Sequence, residues 1–320
     1  MDLAGAIFDK VDLRGARFGA VRMSEAIVTE CVLDGADLQR AQLRMTTFDR
    51  CSMVGADLRG ACMVAAKLHQ VDGARLALGG ADLTLAAFIK GSLEGAVLVG
   101  GLLDRTSFID VALGHADLSA TPQIRTVFFR ADLRTTRLAG GALEMVIFTE
   151  ANLEGQRFDD GSLRLCQFGD ANLRDASFQR ADLVQASFKG ATLEGVNFAG
   201  ADLTRALFVQ AKLRGAKLAG ARLEQALFVE ADARDVDFTG VTAPQSIFQK
   251  AKLAGARFAG AELGYADFSY ADLSGCDFRR ATLVRAQLHG SRQEGTNWDV
   301  GRALALDADD EMTEAEQFRA

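Results

Sequence analysis

The stretch ADLVQASFKGATLEGVNFAG, residues 181–200, repeats at a period that neither a helix nor a strand has. Every fifth residue is large and apolar, and the series alternates as Leu183, Phe188, Leu193 and Phe198. Helices repeat every 3.6 residues and strands every 2. A period of five therefore predicts a short extended piece followed by a turn, repeated as one side of a polygonal coil.

The same phase continues along almost the whole chain, from Leu3 to Trp298. Of the 60 residues at this central position, 31 are Leu, 19 are Phe and 3 are Met, so large apolar side chains dominate it. The residue two places earlier is almost always small, and we predict that both residues point inward. The exceptions at the central position are Gly73, Gln123, Ala233, Ala243 and Gln293.

The distribution of phenylalanine indicates four sides to each coil. Read at intervals of 20 residues from Phe8, the central position is Phe in 12 of 15 places, whereas the series from Leu3 and Leu13 contain none. Each side of a four-sided coil would thus stack its own residue type. About fifteen such coils at the inter-strand spacing would extend about 70 Å.

Units such as ADLRG (56–60), ANLRD (171–175) and ADLTR (201–205) resemble those of the pentapeptide-repeat family. The resemblance implies an all-β solenoid, a right-handed quadrilateral β-helix of about fifteen 20-residue coils. We predict this repeat domain over residues 1–300 and an acidic C-terminal helical cap or tail over residues 301–320. Four residues are candidates for the cap or for a dimer contact: Trp298, Leu304, Leu306 and Phe318.

Composition and motifs argue against catalysis. No CxxC, phosphate loop or metal-ligand spacing occurs, so we predict no enzyme, no metal and no cofactor. His69, His115 and His289 are interpreted as surface residues. A series of aspartates before the central position is expected to bond nearby turn amides rather than calcium: Asp2, Asp12, Asp37, Asp57, Asp72, Asp82, Asp117, Asp132, Asp182 and Asp202. Without an apolar leader or an 18-residue apolar run, we expect a cytoplasmic protein.

One side of the predicted coil carries apolar residues at outward positions. Spaced by 20 residues, they would form vertical lines that we call the apolar stripe: Ile89, Ile109, Val127, Phe129, Ile147, Leu207, Val209, Leu227, Val229 and Ile247. Exposed apolar area of this kind usually marks an interaction site. The alternative is that β-branched residues simply favour strand positions.

Three functions remain open on the sequence. The first is a non-catalytic rod, a scaffold or adaptor that binds a protein partner or itself as a homodimer through the stripe. The family resemblance also implies a DNA mimic that protects bacterial DNA gyrase and gives quinolone resistance, although residues 1–300 carry a formal charge of only −3. The third is an adaptor of a type VI-like secretion system. Direct nucleic-acid binding is not expected, since no basic stripe is present.

Overall fold

The computed structural model of the 320-residue chain describes residues 1–138, 140 and 142–307. It divides the chain into two compact units, Met1–Leu153 (unit 1) and Glu154–Ala320 (unit 2), and each is described here by itself. The five-residue phase of the sequence continues through this boundary, from Phe148 to Leu153 and Phe158. No helix in the described residues is long and apolar enough to cross a membrane.

Unit 1 is a parallel β-solenoid in which each residue pairs with the residue 20 positions further on. The strands are β1 Ile7–Asp9, β2 Ile27–Thr29, β3 Thr47–Asp49, β4 Lys67–Asp72, β5 Ala87–Ser92, β6 Ser107–Ile109, β7 Gln123–Ile124, β8 Val127–Phe129 and β9 Leu143–Glu144. Seven strands form one sheet in the order β1-β2-β3-β4-β5-β6-β8, and β7 pairs with β9 in a second sheet. The pairing of Phe8 with Val28 and of Val28 with Phe48 shows the 20-residue register.

Unit 2 keeps the same 20-residue register without regular strands in its described residues. Isolated parallel bridges take their place, as in the series Arg157, Ser177, Asn197 and Lys217. The regular sheet therefore accounts for about seven turns rather than the fifteen coils predicted. In unit 2, single bridged residues replace the runs of two to six residues that form the strands of unit 1.

The core of each unit consists of the central residues and the small residues two places before them. In unit 1 the rings of Phe88, Phe108, Phe128 and Phe148 stack with centroids 5.0–5.4 Å apart. In unit 2, rings 20 residues apart also stack, and rings on adjacent sides meet edge to face, as Phe188 meets Phe198 at 5.3 Å. Leu and Phe alternate along the sequence because successive central residues lie on adjacent sides of the coil.

Corners require a backbone conformation that most residues avoid. The corner residue, which lies two places after each central residue and joins two sides of the coil, generally has a positive φ near 50–70°. Non-glycine residues such as Lys10, Met45 and Leu85 are among them. This left-handed region costs an L-residue roughly 1–2 kcal/mol. The inward packing on either side of each corner offsets that cost.

Two irregular units are accommodated in different ways. At Gly73 the inward space is filled by Leu76, which is fully buried where a small residue usually stands. Gln123, in contrast, is fully buried at the central position, and neither its Nε2 nor its Oε1 has a hydrogen-bond partner. The first irregularity exchanges large and small residues, whereas the second leaves a polar group unsatisfied.

Candidate docking surfaces

In unit 1, strand pairing aligns one half of the apolar stripe, which we call the unit 1 patch (Ile89, Ile109, Val127, Phe129 and Ile147). Ile89 pairs with Ile109, and Ile109 pairs with Phe129. Val127 forms a parallel bridge with Ile147. The structure therefore shows these residues aligned over successive coils, as the 20-residue spacing predicts.

In unit 2, isolated bridges align the other half, the unit 2 patch (Leu207, Val209, Leu227, Val229 and Ile247). Leu207 bridges to Leu227, and Leu227 bridges to Ile247. The carbonyl oxygens of Val209 and Val229 accept backbone hydrogen bonds from Gly190 and Gln210 of the preceding coil. The patch thus extends over three consecutive coils.

The side chains of both patches are half-buried rather than fully exposed. Each one packs between the residues 20 positions before and after it, so only its outer surface meets solvent. At equivalent positions near the start of unit 1, Ile7 and Ile27 are 73% and 45% exposed, because fewer large neighbours cover them. The patches are low ridges of apolar surface, not freely projecting side chains.

Charged corner residues line both edges of the unit 1 patch. Arg130 pairs with Asp110 at 2.9 Å (Nε to Oδ1), and its guanidinium carbon lies 4.6 Å from the centre of the Phe129 ring. On the other edge, Arg105 and Arg125 both lie within 3.2 Å of the Asp104 carboxylate. The aromatic and aliphatic surface is therefore framed by guanidinium groups.

Amide groups replace most of these charges along the unit 2 patch. Arg205 donates to Gln225 at 2.8 Å, and Gln225 donates to Gln245 at 2.8 Å. On the opposite edge, Gln210 donates to Glu230 at 3.0 Å. The two patches share an apolar centre and differ in the chemistry of their edges.

The predicted role of the aspartates before the central position is confirmed. Each of the ten accepts a hydrogen bond from the backbone amide two residues later, as Asp2 does from Ala4 at 3.1 Å and Asp82 from Thr84 at 3.0 Å. These carboxylates fix the turns. They do not gather into a ligand set, and no group of three or more His, Cys, Asp or Glu in the described residues could hold a metal ion.

Many carboxylates on the surface are bound by a nearby arginine. Side-chain hydrogen bonds from Arg14 lower the pKa of Asp12 to about 2. Side-chain hydrogen bonds from arginine likewise lower the pKa of Asp57, Asp232 and Asp277. The pairing arginines lie two residues further along, within 2.5–2.7 Å of the carboxylate. The negative charge of these aspartates is therefore neutralised locally by arginine.

Two of the three histidines lie at the surface as expected, and the third, His289, does not. His69 is half-buried, with its Nδ1 atom 2.7 Å from Asp49, and His115 is exposed. His289 is buried, only 7% exposed, which corrects the prediction for that residue. It is covered because its ring meets the Tyr270 ring edge to face at 5.3 Å.

Three of the four predicted cap residues, Trp298, Leu304 and Leu306, lie within the described residues. Trp298 stacks on Phe278 at 4.6 Å, and Arg302 lies over the Trp298 ring at 5.2 Å. A short 3₁₀ helix spans Val300–Leu304, and Leu306 bridges to Gln287. Leu304 and Leu306 are 55% and 38% exposed. Phe318 and the rest of the predicted acidic helix lie outside the described residues.

A further apolar surface in unit 1 was not predicted. Val97, Val99 and Leu102 are 44%, 38% and 58% exposed and belong to two adjoining sides of the coil. The signal is present in the segment VLVGGLL, residues 97–103, where apolar residues fill outward as well as inward positions. This surface lies outside both patches, and Val97 offers an exposed valine at which the same substitution can be compared.

The sequence profiles that match this chain describe the repeat directly. The Pentapeptide repeat region matches residues 142–218, and Pentapeptide repeats (8 copies) matches segments within 16–70, 206–242 and 245–297. The chain belongs to the pentapeptide-repeat family. Both profiles describe a repeat and not a catalytic domain. No curated protein sequence is similar enough to match.

Solved structures of other pentapeptide-repeat proteins are similar at low sequence identity. One is HetL of the cyanobacterium Nostoc, which is involved in the regulation of heterocyst differentiation: 22% identity, 93% of this chain and 86% of that chain covered, TM-score 0.21. Another is full-length QnrB1, a plasmid-mediated fluoroquinolone resistance protein: 18% identity, 73% and 98% covered, TM-score 0.26. A third comes from the thylakoid lumen of Arabidopsis thaliana: 23% identity, 40% and 68% covered, TM-score 0.23.

Proposed function

We propose that this pentapeptide-repeat protein is a non-catalytic interaction scaffold that binds a protein partner through its apolar patches. The observation that carries the proposal is the alignment of like apolar residues over successive coils. Ile89, Ile109 and Phe129 pair in register in unit 1, and Leu207, Leu227 and Ile247 bridge in register in unit 2.

An aligned apolar ridge suits protein contact because its side chains are already ordered. Neighbours in the ladder hold each side chain on two sides, so binding costs less side-chain entropy than at a flexible site. Aromatic and arginine side chains are also enriched among the residues that dominate binding energy. Phe129 with Arg130 over its ring provides both at the centre of the unit 1 patch.

The distribution of charge favours a scaffold over a DNA mimic. A mimic of duplex DNA needs a dense array of unpaired negative charge. Here Asp12, Asp57, Asp232 and Asp277 each lie within 2.5–2.7 Å of an arginine nitrogen. Residues 1–300 carry a formal charge of only −3, which supports the same conclusion.

Affinity capture with matched variants tests the proposal. The unmodified chain, Phe129→Asp and Val209→Asp are immobilised and exposed to lysate of the source organism, and bound proteins are identified by mass spectrometry. Val97→Asp is the control, because it places the same charge at an exposed valine outside both patches. We expect a partner that the unmodified chain and Val97→Asp retain and that at least one patch variant loses by tenfold or more.

Circular dichroism and thermal unfolding of each variant establish that the coil is intact before capture. If folded Phe129→Asp and Val209→Asp both retain the same proteins as the unmodified chain, the patches are not the docking surface. If Val97→Asp alone loses the partner, the surface around Val97, Val99 and Leu102 replaces them in the proposal.

A further inference from the structure

Three consecutive coils of the unit 1 patch, those of Ile89, Ile109 and Phe129, carry an excess of positive charge. Four cations and two carboxylates stand at and beside the two corners of this side, a net charge of +2: Lys90, Arg105, Arg125, Arg130, Asp104 and Asp110. All four cations are exposed, so their charge is accessible to a partner that docks on the patch.

The ion pairs within unit 1 leave this excess in place on both edges. Arg105 and Arg125 share the single carboxylate of Asp104, at 3.1 and 3.2 Å. Along the other edge, Lys90 and Arg130 flank one aspartate, which the arginine binds at 2.9 Å. Each edge therefore carries two cations for one carboxylate, with the apolar side chains between them.

This charge distinguishes between the possible occupants of the patch. A second copy docked patch to patch would bring two positively charged edges together, and like charges across an interface cost binding free energy. A partner that carries carboxylates on both sides of an apolar centre would complement both edges and cover the apolar side chains at the same time.

We propose that the unit 1 patch binds an amphipathic α-helix of another protein, whose apolar side chains are flanked on both sides by aspartate or glutamate. This inference rests on the proposed function, because it names the kind of partner that docks on the same surface.

The spacing of the coils suits a helix that lies along the stack. Adjacent coils are about 4.8 Å apart and one helical turn rises about 5.4 Å, so over three coils the two differ by only about 1 Å. One apolar side chain per turn can thus contact Ile89, Ile109 and Phe129 in succession. A helix across the stack would find less surface, because β6 and β8 are each three residues long.

The fourth coil of the patch gives the helix a direction. Glu144 and Glu150 stand beside Ile147 and are both exposed, so the charge around the apolar centre reverses its sign there. The amino-terminal end of a helix carries a partial positive charge. The bound helix therefore begins near Ile147 and runs toward Ile89, with its acidic turns over the three basic coils.

Three matched peptides of about five helical turns test this inference against the full chain. They share leucines at helical spacing, and the positions beside the leucines are all Glu, all Gln or all Lys. Fluorescence anisotropy measures binding. We expect the Glu peptide to bind at least about tenfold more tightly than the Lys peptide, with the Gln peptide between them. Salt should weaken the Glu peptide most, and a central proline should abolish its binding by interrupting the helix.

Charge reversal on the protein ties this order to the patch. Arg125→Glu/Arg130→Glu changes the net charge of the three coils from +2 to −2, so the Lys peptide should now bind more tightly than the Glu peptide. Phe129→Asp should weaken the Glu peptide by tenfold or more. The matched control is Arg59→Glu/Arg137→Glu, because both arginines are exposed, pair with an aspartate and lie on the opposite side of the coil. It should keep the original order. Circular dichroism establishes that each variant is folded.

The inference is overturned if the Glu peptide does not bind, if the Gln or Lys peptide binds the unmodified chain as tightly, or if charge reversal leaves the order unchanged. A dimer of the full chain in sedimentation equilibrium that Phe129→Asp disrupts would identify a second copy as the occupant and would also overturn it. Capture of a protein from lysate that depends on Phe129, together with a failed peptide series, would retain the scaffold function and reject the acidic helix.

Discussion

The side that carries the apolar patches is built differently in the two units, and the residue after the corner also differs between them. In unit 2 the residue after the corner donates its N–H to the residue three places earlier, as Ala171 does to Phe168 at 3.2 Å and Ala211 to Phe208 at 3.1 Å. In unit 1, residues 7–9, 27–29 and 47–49 are strands instead, and the amide of Val11 bonds to Cys31 Sγ at 3.3 Å.

The sequence after the corner follows this contrast in most coils. In unit 1 the position is larger than alanine at Val11, Cys31, Cys51, Val71 and Val111, but Gly91 lies within β5 and Ala131 follows β8. In unit 2 it is alanine in every coil from Ala171 to Ala271. A branched or larger side chain favours an extended backbone, whereas alanine fits inside a tight hydrogen-bonded turn. The same five-residue repeat can thus form a regular sheet or a stack of turns.

The cores of the two units differ as well. In unit 1 the phenylalanines from Phe88 to Phe148 form one stacked column. In unit 2, two columns stand on adjacent sides, so Phe208 stacks on Phe188 and Phe228 and also meets the edge of Phe198. We therefore expect substitutions in the unit 2 core to cost more.

Phe208→Ala sharpens this contrast and should have the largest effect. Removal of a fully buried phenylalanine costs about 3–5 kcal/mol, and the lost aromatic contacts add about 1 kcal/mol. Urea unfolding followed by fluorescence of Trp298, the single tryptophan, reports on unit 2. The comparison in unit 1 is Phe108→Ala, which loses stacking contacts but no edge-to-face contact. Its loss of stability is measured by hydrogen exchange. Equal losses in the two units would contradict the account.

Gly91→Ala tests the tight approach of coils at the position after the corner in unit 1. Gly91 has a φ of +95°, and an added Cβ would lie 2.3 Å from the carbonyl oxygen of Val71. We expect unit 1 to lose about 2–4 kcal/mol, from backbone strain and from steric overlap. The control is Gly220→Ala in unit 2, where a Cβ meets nothing within 4 Å and only the left-handed φ costs about 1 kcal/mol.

Gln123→Leu should stabilise unit 1. The buried amide of Gln123 has no hydrogen-bond partner, so an apolar residue of similar size removes an unsatisfied polar group and gains about 1–3 kcal/mol. Hydrogen exchange of the neighbouring coils measures the gain. Gln293→Leu is the matched control, because Gln293 donates to Ser291 at 3.0 Å and should gain nothing. A loss of protection in Gln123→Leu would show that the amide has a structural role.

The smallest effect concerns the paired carboxylates. Arg14→Gln should raise the pKa of Asp12 from about 2 toward 3.8, because the guanidinium that stabilises the carboxylate is removed. The lowered pKa means that the pair stabilises the folded chain above about pH 4, and that this is lost as pH falls toward 2. Carbon-detected NMR titration measures the shift. Arg234→Gln should likewise raise the pKa of Asp232 in unit 2.

Much of the fold follows from the sequence, because the five-residue period and the 20-residue spacing of phenylalanine are direct consequences of inward packing. The inward positions, the Asp-to-amide bonds and the alignment of the stripe are all predictable in this way. The choice between strand and turn was not predicted, since residues as different in size as Val11, Gly91 and Ala131 occupy the position after the corner on the side that forms strands.

The half-buried state of the stripe and the burial of His289 could not be predicted either. Both depend on how neighbours 20 residues away cover a side chain, as Tyr270 covers His289. Compensation at Gly73 by Leu76 is predictable in retrospect, since the two exceptions to the pattern lie three residues apart, in adjacent repeat units. At Gln123 no such compensating residue is present in the sequence.

Site-specific photo-crosslinking in cells of the source organism tests the proposed scaffold function most directly. A photoreactive phenylalanine replaces Phe129 in one variant, Val209 in a second and Val97 in a third. We predict a discrete crosslink to another protein from position 129, from position 209 or from both, and none from position 97. Crosslinks of equal yield at all three positions, or at position 97 alone, would contradict docking through the apolar patches.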